Sequence, residues 1–294
     1  MKIGLIGTGL MGSALVLRLL DLGHQVFVWN RTPEKLQKLS DAGAAIVESP
    51  KALAEASEVI ISILTNAEAI RQVYEGSQSV TAADIRGKLV IEMSTVQPHV
   101  NQALETLIAA AGSDMIECPV GGTVGPAREG KLLGFVGGSE NAVLRAKPLL
   151  DQICRKFDHL GPIGSGTGFK LCVNLPLLVY WQALGESLAL IKHLDIDPER
   201  VLGILSDTSG APAALKIKVP ALLGRMQGGA PGPAAFNLIS ARKDLQTMLQ
   251  EAKRLGVELP AVQASVNSYT EAIDKGLSGH DSVEQSFYWM NRKL

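Results

Sequence analysis

The sequence is short of several things, and each shortage narrows the function. Its three cysteines, Cys118, Cys154 and Cys172, stand far apart with no CxxC pair, beside only five histidines. That argues against a disulfide framework and a structural zinc site, so no metal is expected. Aromatic residues make up 4% of the chain, and 28 lysines and arginines nearly cancel 29 aspartates and glutamates. No basic stripe carries interleaved aromatics, so nucleic acid is not an expected partner. The N-terminus enters a strand pattern directly, with no basic leader or cleavage site. The apolar run after Lys170 is broken by Asn174, Pro176, Gln182 and Glu186, which argues against a membrane span. There is no low-complexity tail and no internal repeat. A cytoplasmic protein that meets neither membrane nor nucleic acid is expected. What the chain does have is aliphatic side chains, alanine and glycine, over a length of 294 residues that suggests two domains.

The stretch around which the rest is organised is Gly164-Ser-Gly-Thr-Gly-Phe-Lys170-Leu-Cys-Val-Asn174. A glycine-rich turn runs into an apolar stretch, Leu171 to Leu194, that reads as a buried helix. Lys170 and Asn174 are four apart, which puts both on one helix face. Desolvation lowers the pKa of a lysine, so a lysine at this mouth can act as an acid or a base. From these residues alone, a lysine snorkelling at a helix start reads equally well.

The N-terminal half has a clear plan. Lys2–Ile6 is a strand, Gly7-Thr8-Gly9-Leu10-Met11-Gly12 follows, Ser13–Leu22 is helical, and Gln25–Trp29 is the next strand. Strand, G-x-G-x-x-G, helix and strand in about thirty residues is the context that gives the fingerprint its meaning. Gly7 permits the tight turn, Gly9 lets backbone approach a pyrophosphate, and Gly12 lets helix and strand pack. The helix start then offers N–H groups and a positive dipole end. The end of the second strand reads Asn30-Arg31-Thr32. It holds no carboxylate for a ribose 2′-hydroxyl, while Arg31 offers a planar fork suited to a phosphate. NADP(H) is therefore expected over NAD(H). Helices at Pro33–Ala42 and Ala52–Ala56, a short strand at Ala45–Val47, and strands at Glu58–Ile63, Gly87–Glu92, Met115–Cys118 and Leu133–Val136 complete a doubly wound sheet, with a helix through Glu140–Leu150. Leu64-Thr65-Asn66 lies at a strand end, where such sheets bind ligands. Ser94 or Thr95 reads as the cap of a helix over Gln97–Ala111, with a hydroxyl that can also face the cleft. Glu117–Leu132 reads as a glycine-rich loop: either a connector or a backbone cradle for an anion such as a substrate carboxylate.

Together, Gly7–Gly12, the Pro119–Leu132 loop, Lys170 with Asn174, and Lys243-Asp-Leu245 resemble the β-hydroxyacid dehydrogenase family, which includes 3-hydroxyisobutyrate dehydrogenase and glyoxylate/succinic semialdehyde reductases. The resemblance runs over nearly the whole chain. It implies Lys170 as catalytic acid/base and Asn174 as support for substrate and lysine. It also implies cofactor contacts at Thr95 and Lys243, and a grip on the substrate carboxylate by Gly121, Gly122 and Thr123, to which Ser94 is added. Two positions depart from the family pattern. The loop usually reads Pro-Val-Ser-Gly-Gly, but the serine position here is Gly121 and the last glycine is Thr123. Many members carry a second asparagine where this chain has Val173.

The expected fold is an N-terminal Rossmann domain, residues 1–162, and an all-helical domain, residues 163–294, joined by a long helix from about Phe169, with nicotinamide and substrate in the cleft between them. In the second half, helices are expected from Pro198, over Val219–Met226, from Ser240 to Leu255 and from Pro260 to Lys275. A homodimer or homotetramer is expected, because helical domains of this kind bury apolar surface in a partner subunit. The reaction expected is hydride transfer to or from a small aldehyde or β-hydroxy acid. An imine reductase on the same architecture and a non-catalytic NADP-binding protein are the competing readings; Lys170 speaks against the first.

Overall fold

The computed structural model describes residues 1–292. The chain divides into two compact units, Met1–Leu171 and Cys172–Leu294. The first is built on one sheet: β1 (Lys2–Ile6), β2 (Gln25–Trp29), β3 (Ala45–Ile46), β4 (Val59–Ser62), β5 (Leu89–Glu92), β6 (Asp114–Glu117), β7 (Val120–Gly121), β8 (Leu132–Gly138) and β9 (Cys154–Gly161). The spatial order is β3-β2-β1-β4-β5-β6-β8-β7, with β9 also paired to β8. Strands β1 to β6 are parallel in register. Strand β8 runs antiparallel to β6 and β7 and parallel to β9. The order reverses between β1 and β4, and a doubly wound sheet binds its ligands outside the strand carboxyl ends at that point.

Helices α1 (Leu10–Asp21), α2 (Gln37–Asp41), α3 (Pro50–Ala56), α4 (Ala67–Tyr74), α5 (Pro98–Ala110), α6 (Val124–Glu129) and α7 (Glu140–Ile153) flank the sheet. Alternate residues of a strand face opposite ways, and a parallel sheet needs both faces covered. Leu89 and Ile91 of β5 belong to one buried cluster with Leu15 and Leu19 of α1 and Leu150 of α7. Val90, between them, belongs to a second buried cluster that includes Leu53 of α3, Ile70 of α4 and Leu104 of α5. Each such side chain taken out of water contributes about 1.5–3 kcal/mol.

Several elements differ from expectation. The Glu117–Leu132 stretch is not a plain loop, since it forms β7 and then α6, which ends on left-handed Gly130 (φ 70°). Strand β9 was not anticipated because its residues are largely exposed and polar, Arg155, Lys156, Asp158 and His159 among them, so no apolar period marks it. Neither Ser94 nor Thr95 caps α5: the cap is Gln97, with no side-chain bond, and Pro98 opens the helix. A proline there needs no N–H partner and presets the helical φ.

Helix α8 (Ser165–Ile191) starts well before Leu171 and carries the chain from the first unit into the second. The second unit adds α9 (Pro198–Asp207), α10 (Ala213–Met226), α11 (Leu238–Leu255), α12 (Pro260–Ala272) and α13 (Glu284–Asn291). The last of these was not anticipated, and α10 begins six residues before Val219. A Cβ on Gly185 would lie 2.8 Å from Ser286 O, so α8 and α13 meet at backbone distance. Ser286 Oγ donates to Trp181 O (2.6 Å) and Tyr269 Oη to Leu178 O (3.1 Å), fixing buried Trp181 in the core. No helix among the described residues is long and apolar enough to cross a membrane.

Candidate active site

The Gly7–Gly12 turn has the geometry its sequence demands. Gly7 takes φ 95°, and a Cβ there would strike Ile63 O at 2.3 Å. A Cβ on Gly12 would lie 2.0 Å from Gly7 O, which is why α1 can pack so close to its own turn. The space at Gly9 is open, with nothing within 4 Å of the Cβ it lacks. Gly9 caps α1 without any side-chain bond, and the first turn, Leu10 and Met11 included, carries no acid. Such a start offers N–H groups and a positive dipole end to an anion, so these residues fit a pyrophosphate.

Thr8 and Asn30 tie this turn to the end of β2. Asn30 Nδ2 donates to Thr8 Oγ1 (2.8 Å), and Thr32 N–H donates to Asn30 Oδ1 (2.8 Å). Arg31 is exposed, with Nη1 donating to Gln72 Oε1 of α4 (3.2 Å). Within the first unit, then, the fingerprint and the Asn30-Arg31-Thr32 segment form one edge at the carboxyl ends of β1 and β2.

The ends of β4 and β5 are coupled as well. Leu64 N–H donates to Ser94 Oγ (2.7 Å), and Ser94 N–H donates to Glu92 Oε1 (2.7 Å). Ser62 Oγ also bonds Glu92 and lies 2.7 Å from Tyr74 Oη. Glu92 is fully buried, and burial pushes its carboxyl up to about 7 against the pull of the Ser62 and Ser94 hydrogen bonds. Ser94 is 1% exposed. Its hydroxyl, accepting from Leu64 N–H, braces the two loops against each other. Half-buried Thr95 is the outer residue of that pair. Thr65 and Asn66 are exposed, and Asn66 Oδ1 is used as the cap of α4, accepting from Ala69 N–H at 2.9 Å.

Gly121 and the approach to Lys170 converge on Phe135 of β8. A Cβ on Gly121 would lie 3.5 Å from Phe135 Cζ, and the Phe135 and Phe169 ring centroids are 5.4 Å apart. Gly122 (φ 122°) makes the turn out of β7, and Thr123 precedes α6. Lys170 lies on the second turn of α8, just past the glycine-rich first turn, and is 8% exposed. The unbroken helix carries Asn174 four residues on. In the second unit, Asn174 Nδ2 donates to Asp244 Oδ2 (2.9 Å), and Lys243 Nζ lies 2.5 Å from Asp244 Oδ1.

Three buried acids were not given roles from the sequence. Glu117 holds the start of α8 through Gly164 and Thr167, Glu92 couples β4 to β5, and Asp244 joins Asn174 to Lys243. For two of them the signal was present: Glu92 and Glu117 each end an apolar strand, whereas Asp244 stands beside Arg242 and Lys243.

Two family models cover the chain. One, the NAD binding domain of 6-phosphogluconate dehydrogenase, matches residues 2–161. The other, the NAD-binding domain of NADP-dependent 3-hydroxyisobutyrate dehydrogenase, matches residues 164–286. The chain belongs to the β-hydroxyacid dehydrogenase family. Among relatives in that family, the 2-hydroxy-3-oxopropionate reductase of Escherichia coli is 30% identical over the full length of both chains. Glyoxylate/succinic semialdehyde reductase 1 of Arabidopsis thaliana is 28% identical, with 96% of each chain covered. The structure of Psf3 in complex with NADP+ and 2-OPP superposes with a TM-score of 0.86 at 25% identity, covering 97% of this chain and 99% of that one. β-Hydroxyacid dehydrogenases are pyridine-nucleotide-dependent oxidoreductases.

Proposed function

We propose that this protein exchanges hydride between NADP(H) and a small aldehyde acid or β-hydroxy acid, with Lys170 as the proton donor and acceptor. The observation that carries the reading is the burial of Lys170, a lysine 8% exposed on a largely apolar helix of an oxidoreductase. The names of the E. coli and Arabidopsis relatives support the substrate class. The absence of a carboxylate after β2, together with exposed Arg31, supports a 2′-phosphate and hence NADP(H).

The bound nicotinamide would supply or accept the hydride. The chain's own residues do the rest. N–H groups of Leu10, Met11 and Gly12 at the start of α1 hold the pyrophosphate, and Asn30, Arg31 and Thr32 hold the adenosine phosphate. Leu64, Thr65, Asn66, Thr95 and Lys243 border the nucleotide. The Gly121–Thr123 turn grips the substrate carboxylate through backbone. In reduction, Lys170 Nζ gives a proton to the carbonyl oxygen as that oxygen gains charge. In oxidation it takes the hydroxyl proton. Asn174, held by Asp244, orients the reacting group.

The test is NADPH and NADH oxidation with glyoxylate, succinic semialdehyde, tartronate semialdehyde and a cyclic imine, wild type beside Lys170→Ala. Turnover should favour NADPH and an aldehyde acid. It should fall by about 100- to 10,000-fold in the variant, the range for a lost general acid. Equal turnover in the two proteins would remove Lys170 from the chemistry, and turnover of the imine alone would reassign the substrate.

A further inference from the structure

We propose that Glu117 is a positioning residue: it anchors the first turn of α8 to the sheet and so sets where Lys170 sits. The proposal rests on the role given to Lys170 above. Glu117 ends β6 and is fully buried. Its Oε1 accepts from the backbone N–H of Gly164 (2.8 Å) and of Thr167 (3.0 Å). Its Oε2 accepts from Thr167 Oγ1 (2.6 Å) and Asn101 Nδ2 (2.8 Å). Asn101 Nδ2 also donates to Thr167 Oγ1 (2.8 Å), so the hydroxyl accepts one bond and gives one. Four donors aim at one side chain, which suits a carboxylate, an acceptor only.

The first N–H groups of a helix have no partner inside it. They are commonly met by the Ser, Thr, Asp or Asn that immediately precedes the helix. Here the acceptor comes from a sheet strand 47 to 50 residues earlier. A local cap satisfies N–H groups wherever the helix happens to lie. An acceptor on β6 satisfies them in one place only, so the helix start is fixed to the sheet.

Two absent side chains make the close approach possible. A Cβ on Gly137 would lie 2.5 Å from Glu117 Oε1, and a Cβ on Gly166 would lie 2.2 Å from Phe135 O. Both glycines flank the anchor, one on the strand and one on the helix. Glu117 is also followed by Cys118 and Pro119, which lead into the Gly121 turn. The carboxylate therefore ties that turn and the Lys170 turn to one rigid strand end. Lys170 is the third residue after Thr167, so a shift of the first turn is carried to it directly.

The test pairs Glu117→Gln and Thr167→Val with wild type and Lys170→Ala, all as full-length chains. Hydrogen exchange over residues 163–170 reads the anchor, calorimetry reads NADPH affinity, and turnover of glyoxylate and succinic semialdehyde reads the consequence. In Glu117→Gln, exchange over 163–170 should accelerate at least about tenfold, since either orientation of the amide turns its NH2 toward two of the four donors. kcat should fall about 10- to 100-fold, the scale of a displacement of about 1 Å, with KM and NADPH affinity within about threefold of wild type. Thr167→Val, which keeps the carboxylate and loses the hydroxyl, should give a smaller change in the same direction; it also decides the matter if Glu117→Gln does not fold. Unchanged exchange in both variants overturns the anchor. Accelerated exchange with unchanged kcat, in a protein whose Lys170→Ala variant is dead, overturns the positioning role. If Lys170→Ala keeps full turnover, the role of Lys170 fails while the exchange data still decide the anchor.

Discussion

Two helices begin in glycine-rich turns of the first unit, and they treat their N-terminal N–H groups in opposite ways. Helix α1 starts at Gly9 with no side-chain cap, no acid in its first turn and open space beside the glycine. Helix α8 starts after Gly164 with a buried carboxylate already seated on its N–H groups. Glycine does the same thing in both places: it lets other atoms approach the backbone. What comes close differs. At α1 no side chain of the protein caps the N–H groups, whereas at α8 Glu117 does.

The contrast can be sharpened first at the two buried glutamates. Glu92 and Glu117 are register partners in β5 and β6. Glu117 receives four donors, while Glu92 has Ser62 and Ser94 and is pushed up to about 7, first by burial, with the Glu117 charge adding to it. A carboxyl raised in the folded state favours the protonated form there. Its stabilising contribution is full below the ordinary value of 4.5, declines as pH rises through 4.5 to 7, and is gone above that. Over that window wild type should lose up to about 3 kcal/mol more than Glu92→Gln. Urea unfolding at pH 4.5, 6 and 8 measures the difference, and parallel curves for the two proteins would show that Glu92 is not its source.

The second comparison is between two glycines of α8 itself. Ala at position 166 would press a methyl 2.2 Å from Phe135 O, a backbone atom that cannot yield. Gly166→Ala should cost about 1–3 kcal/mol. At Gly168 the nearest atom is Pro98 Cγ at 3.8 Å, so Gly168→Ala should gain up to about 1 kcal/mol from helix propensity. Thermal unfolding should give opposite signs. The same sign and size in both would mean that α8 does not need its close seat on β8.

These features show where a sequence can be read and where it cannot. The doubly wound sheet was legible because apolar runs and the G-x-G-x-x-G turn recur at strand spacing, and the same order appears in the structure. Strand β9 was not legible, since an exposed edge such as Arg155–His159 needs no apolar period. The cap assigned to Ser94 failed for a different reason. Its hydroxyl is held by Leu64, thirty residues away, and no local pattern reports such a partner. Glu117 is the same case at greater range. Lys170 and Asn174 could be singled out because both stand in one run, but the acid that joins Asn174 to Lys243 lies seventy residues on.

The smallest expected effect tests the comparison most directly, by giving α1 what α8 already has. Leu10 is the first residue of α1 and is 52% exposed, so a glutamate fits there without repacking. An acid in a first helical turn contributes about 0.3–1 kcal/mol to the helix, so Leu10→Glu should keep or slightly raise the unfolding temperature. The same charge now stands where the phosphates are expected. NADPH should therefore bind about 2- to 5-fold more weakly, with the deficit shrinking as salt is raised and the charges are screened. Leu10→Lys should act in the reverse sense. Calorimetric titration at low and high salt reads both. If NADPH binds Leu10→Glu as tightly as wild type at low salt, the phosphates do not lie at this helix start, and an open glycine turn is not what separates α1 from α8.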